Sequence, residues 1–90
     1  MKQTLKKYLK KKIVVDTRSA WVYIGILDEI LDNCIVLSEA DVHDSNAVQT
    51  TKEFYVLESK KTGIKSNRHK VYINMEFVVS FSSLDEVKHF

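Results

Sequence analysis

Residues Trp21 to Leu37 read WVYIGILDEILDNCIVL, and this stretch decides the fold. It is too long for one flat strand and carries no clean helical stripe. It resolves into two strands joined by a tight turn at Asp32-Asn33. In the first, Trp21, Tyr23, Gly25 and Leu27 share one face, and Val22, Ile24 and Ile26 share the other, as the two-residue repeat of a strand requires. Both faces are mostly apolar, which predicts a central strand covered on both sides. Gly25 is a poor strand former and marks a sharp bend or a close backbone approach. A long, bent, doubly covered strand suits a small barrel.

Outward from this stretch, the N-terminal residues MKQTLKKYLKKK place Leu5, Tyr8 and Leu9 at helical spacing with lysines on the opposite face. They predict a short amphipathic helix docked on something apolar. The lysines are either a solvated face or a patch for phosphates or an acidic partner. Residues 11–16, KKIVVD, form a β-branched strand, and Thr17-Arg18-Ser19 leads into the long strand. Residues 35–40 complete a third strand, and the polar residues 41–49 read as a loop. Thr50 and Glu53 have capping-box spacing, Lys60 and Lys61 suit a helix C-terminus, and Gly63 suits a left-handed stop, so a helix is expected over 51–61. Residues 64–70 form a basic connector, 71–74 a short strand, and Met75-Glu76 a tight link. Residues 77–82 alternate with Phe77, Val79 and Phe81 on one face, and 84–87 make one terminal turn. The expected class is mainly β with helices: a strongly bent five-stranded barrel, because closure removes exposed edges.

The chain of 90 residues is read as a single domain over 1–90. It is 44% hydrophobic and 29% charged with a net charge of +2, the balance of a folded protein and not of a basic tail. One cysteine, Cys34, excludes an intramolecular disulfide and a multi-cysteine zinc site, and fits a reducing, cytoplasmic compartment. No apolar run suggests a transmembrane helix or a signal peptide. Cys34 is expected to be a buried structural thiol. Asp41, His43 and Asp44 read as an exposed polar loop and not as a metal site. With only two glycines, a phosphate cradle is not expected, and neither a nucleophile nor an acid–base pair stands out. No enzyme activity, metal or cofactor is expected.

The N-terminal helix followed by five bent strands resembles the Sm-like (LSm) fold, also called an SH3-like barrel. The first Sm motif is similar to Tyr23-Ile24-Gly25-Ile26-Leu27, then the acidic Asp28-Glu29, then Ile35-Val36-Leu37. The spacing from Gly25 to Leu37 resembles that of the bacterial host-factor branch, a group of RNA chaperones. The second motif is similar to residues 73–81, INMEFVVSF. The resemblance covers roughly residues 3–40 and 70–84. It implies RNA binding without catalysis and assembly of copies into a homo-oligomeric ring, with the strands at 71–74 and 77–82 pairing across the subunit boundary.

The departures fall on the implied pocket. Ungapped alignment puts Leu31 where the family has an aspartate, with Asp32 and Asn33 alongside. Asn74-Met75 replaces the family's arginine-glycine pair, and the bacterial lysine-histidine pair is absent. Candidate RNA-binding residues are therefore Lys6, Lys10, Asp32, Asn33, Arg68, His69, Lys70 and Asn74. Asp32, Asn33 and Asn74 equally suit turns for backbone reasons alone. The helix at 51–61 stands where the family has a variable loop. It motivates the alternative reading, an oligomeric scaffold or adaptor that binds another protein through that helix and has lost the RNA pocket.

Overall fold

A computed structural model describes residues 2–47 and 51–88. The order is α1 (Lys2–Lys6), β1 (Lys12–Thr17), β2 (Trp21–Ile30), β3 (Cys34–Asp44), α2 (Lys52–Thr62), β4 (Arg68–Asn74) and β5 (Val78–Ser83). Short 3-10 turns cover Met75–Phe77 and Leu84–Glu86. The strands make one antiparallel sheet in the order β4-β3-β2-β1-β5, bent into the expected barrel with β2 at its centre. β4 and β5 are its two edges.

The inner face packs Ile13, Val15, Leu27, Ile35, Leu37, Ala40, Ile73 and Val78, and Leu5 of α1 joins the same cluster. Tyr8 joins this cluster and meets Phe81 edge-on at 5.5 Å between ring centroids. The outer face carries a smaller cluster of Val14, Val22, Ile24 and Leu84, covered by Tyr55 and Val56 of α2 together with Ile64 and Val87. β2 is thus covered on both sides, one layer from within the barrel and one from α2.

Gly25 stands where the two strands of the opening stretch come closest. A Cβ there would lie 3.1 Å from the Cα and Cβ of Ala40 and from the Ser38 carbonyl oxygen. Pairing runs Ile24↔Asp41 and then Ile26↔Ser38, so β3 holds one extra residue opposite Gly25. That bulge is turned at Glu39, whose φ is 45°, and it lets a long strand bend.

Several boundaries differ from those read in the sequence. The N-terminal helix stops at Lys6, because Lys10 takes a left-handed conformation (φ 67°) and donates its N–H to the Leu27 carbonyl at 2.7 Å, turning the chain into β1. β3 continues through residues 41–44, expected to be loop, since Asp41, Val42, His43 and Asp44 pair with Ile24, Tyr23, Val22 and Trp21. Asn67 extends that edge: its side-chain amide accepts from the Val42 N–H and donates to the Val42 carbonyl, at 3.0 and 3.1 Å. β4 begins at Arg68 and so takes in three of the seven residues of the expected basic connector.

α2 spans Lys52–Thr62, one residue beyond expectation at its C-terminus. Its cap is Thr51, whose hydroxyl accepts the Phe54 N–H at 3.1 Å, and the expected cap Thr50 lies outside the described residues. Gly63 ends the helix, donating its N–H to the Ser59 carbonyl, but at φ 89° and ψ 169° its backbone is not in the left-handed helical conformation expected. The expected face of Phe77, Val79 and Phe81 is broken. Asn74 caps the 3-10 turn with its side chain, and pairing slips between Asp16↔Ser80 and Thr17↔Val78. Val78 is buried instead, Phe81 packs inward, and Phe77 and Val79 are exposed. Cys34 is half-buried, not buried, because it opens a strand beside an exposed turn.

Candidate nucleic-acid interface

Antiparallel pairing of β3 with β4 sets Cys34 opposite Asn74. The β2–β3 turn and the β4–β5 turn therefore meet at one end of the barrel. The Met75 N–H donates to the Asn33 carbonyl at 2.9 Å, tying the two turns together. The Asn74 side-chain oxygen accepts the Glu76 N–H at 3.0 Å and so shapes its own turn. Asp32 is fully exposed and lies 3.5 Å from the Lys2 ammonium. The structure thus brings Asp32, Asn33 and Asn74 together.

The other candidates lie elsewhere. Lys6 is exposed in the last turn of α1. Arg68 pairs opposite Ala40, six residues from Asn74, or about 20 Å along an extended strand. His69 is exposed, 3.3 Å from Glu39 at the bulge. Lys10 and Lys70 converge on Asp28, at 2.6 and 3.9 Å. The hydrogen bond from Lys10 holds the Asp28 carboxyl below the usual carboxylate range. Desolvation opposes this, and the charges of Lys10 and Lys70 add to it.

Three residues at this surface are absent from the candidates read in the sequence. Lys2 and Asp28 take part only through tertiary contacts. Tyr72 is 61% exposed on β4, between Lys70 and Asn74. Its alternation with buried Ile73 was the available signal. A cavity of about 350 Å³ opens beside it, lined by Tyr23, Tyr72, Asn74 and Phe77 with Thr17 and Ser19. Among the described residues, no group of three His, Cys, Asp or Glu side chains is placed to hold a metal ion. Among them, no helix is long and apolar enough to cross a membrane.

Among solved structures, the chain is similar to an Sm protein of Pyrococcus abyssii in complex with a uridine heptamer. The TM-score is 0.62 at 16% sequence identity, over 90% of this chain and 93% of that one. The chain has the Sm fold. No protein-family model matches the sequence, and no curated protein matches it. In the Sm fold as built here, Gly25 of β2 faces the β3 bulge at Glu39, and residues 73–81 span the β4–β5 turn. The helix α2 occupies the connection between β3 and β4 and folds back over the outer face of the sheet.

Proposed function

We propose that this chain is a non-catalytic RNA-binding protein that works as a homo-oligomeric ring, with residues 1–90 as one Sm-like domain in a cytoplasmic setting. The observation that carries the reading is the meeting of the Asp32-Asn33 and Asn74-Met75 turns, in a fold shared with an Sm protein in complex with a uridine heptamer. Polar side chains at these turns offer hydrogen bonds to base edges, and the lysines of α1 together with Arg68, His69 and Lys70 offer charge to phosphates. Ring formation is supported by the two sheet edges, β4 and β5, which have no partner strand among the described residues. Val79 lies exposed on β5, with Phe77 exposed in the turn that precedes it. Such edges invite pairing with another chain.

A second reading is favoured by α2, where Phe54 is 56% exposed. A helix that replaces a loop and leaves a large aromatic in solvent suits a scaffold that contacts another protein.

Fluorescence-anisotropy titration with oligo-U, oligo-A and mixed RNA at two salt concentrations separates these readings. Native mass spectrometry at micromolar concentration accompanies it. Binding by a multimer supports the proposal, and dependence on the base would show a base pocket. Binding that ignores the base and fades steeply with salt reports phosphate attraction alone. No binding at either salt leaves the scaffold reading, and a monomer mass removes the ring.

A further inference from the structure

The pairing register lines up Lys12, Ile26, Ser38 and Lys70 in one row across β1, β2, β3 and β4. Their neighbours Ile13, Leu27, Leu37 and Val71 point into the barrel. The row therefore lies on the outer face, the same face that carries Val14 and Ile24 under α2. α2 covers only that half of the face. On the other half Lys12 and Lys70 are exposed, and Ile26 and Ser38 are half-buried between them. Lys10 joins them through Asp28. Two residues along β4, about 7 Å away, Tyr72 stands on the same face.

The turn end is charged differently. Its side chains include Asp32 and Glu76, and the cation paired there is Lys2. Carboxylates repel phosphates, and the Asn74 oxygen is already used by the Glu76 N–H. The bare outer face has three lysines, Lys10, Lys12 and Lys70, to two carboxylates, Asp28 and the exposed Glu29 in Tyr72's row, and so keeps a net positive charge beside a large exposed ring. Cations flanking an aromatic side chain are what a single-stranded nucleic acid needs, since phosphates are neutralised while a base stacks.

We propose that single-stranded RNA crosses the bare half of the outer sheet face, with Tyr72 stacking a base and Lys12 and Lys70 holding phosphates on either side of Ser38. This rests on the RNA-binding reading above and adds a path across the sheet to the contacts at the turns. Asp28 pairs with Lys10 and Lys70 and neutralises part of their charge, and Lys12 makes no ion pair among the described residues.

The test compares two sets of variants in the full chain, with anisotropy on short RNA and native mass for each. Tyr72→Ala is expected to weaken binding roughly tenfold, while Tyr72→Phe keeps it, because stacking needs the ring and not the hydroxyl. Lys12→Glu with Lys70→Glu is expected to flatten the dependence of log affinity on log salt by about 1.4, the loss of two single-strand phosphate contacts. Asn33→Ala and Asn74→Ala, at the turns, are expected to weaken binding less than Tyr72→Ala does. Ultraviolet crosslinking of bound RNA should map to Tyr72. Wild-type binding that is lost in the turn variants and kept in the face variants would overturn the sheet path and leave the RNA-binding reading intact. So would a crosslink confined to residues 31–33. No RNA binding by the wild-type chain would overturn both readings.

Discussion

The inner and outer faces of the sheet are built from the same strands, residue by residue in alternation, yet they are finished differently. The inner cluster is sealed by the barrel's own curvature and by Leu5, so Ile13, Val15, Leu27, Ile35 and Leu37 are inaccessible to solvent or nearly so. The outer cluster depends on a separate helix, which lies over Val14, Val22 and Ile24 and leaves the Lys12–Lys70 row bare. The inner face buries enough apolar area to define the fold. The outer face is divided between a lid and a surface open to a ligand.

Gly25→Val should break this arrangement most severely. Even a single Cβ meets backbone and side-chain atoms of Ala40 at 3.1 Å, and the Ser38 oxygen closes the remaining side. These are not the far ends of flexible chains, so β3 must move and the bulge with it. Overpacking of this kind costs about 1–3 kcal/mol for an added methyl and more for a branched chain. A small domain has little stability in reserve, so loss of a cooperative thermal transition in far-UV circular dichroism is expected. A melting curve like that of the wild type would mean that the close approach is not structural.

A matched pair of truncations measures the two faces directly. Leu37→Ala, inside the barrel, should cost about 2–5 kcal/mol in urea denaturation. Tyr55→Ala, on α2, should cost about 1–2 kcal/mol, because the ring is half-buried and its site can collapse. Tyr55 stacks flat on His43, with centroids 3.8 Å apart, and among the described residues its hydroxyl makes no well-formed hydrogen bond. Burial, and then the nearby Asp41 carboxylate, push that hydroxyl well above the usual phenol range, so it stays protonated. Equal costs for the two truncations would show that α2 belongs to the barrel's own cooperative unit.

The contrast also explains what was legible beforehand. The strands at 21–37 announce themselves because both their faces are apolar and a glycine marks the bend. α2 is legible through Gly63 at its C-terminus and its basic last turn, although its apolar face is weak and its cap is Thr51, where the sequence pointed to Thr50. The bulge at Glu39 left no mark, since a glutamate in a left-handed conformation is specified by its neighbours and not by its own chemistry. Arg68, His69 and Lys70 read as a connector because strands are expected to alternate. Here they belong to an edge strand whose outer face is in solvent, where charge costs nothing. Asp32, Asn33 and Asn74 could be named from motif positions. The row of Lys12 and Lys70 could not, because it exists only once the register across four strands is fixed.

A gentler perturbation sharpens the same contrast at the helix end. Thr51→Ala removes the hydroxyl that accepts the Phe54 N–H and should cost about 1 kcal/mol. If the lid opens separately, hydrogen exchange should accelerate at α2 amides while those of β1, β2 and β3 keep their protection. Uniform acceleration would mean that lid and barrel open together.

The smallest expected change in stability comes from Asp28→Asn. The aspartate's folded pKa is lowered, chiefly by the hydrogen bond from Lys10, so its contribution is present above the usual carboxylate range. That contribution is lost as pH falls through the depressed value. The wild type should therefore lose slightly more stability than Asp28→Asn between neutral and acidic pH, with the two alike in strong acid. The variant also frees Lys10 and Lys70 from the carboxylate that neutralises part of their charge. RNA affinity should rise in low salt, and the gain should shrink as salt screens the freed charges. Weaker binding at every salt would show that Asp28 serves by holding the two ammonium groups in place, and that their geometry matters more than their net charge.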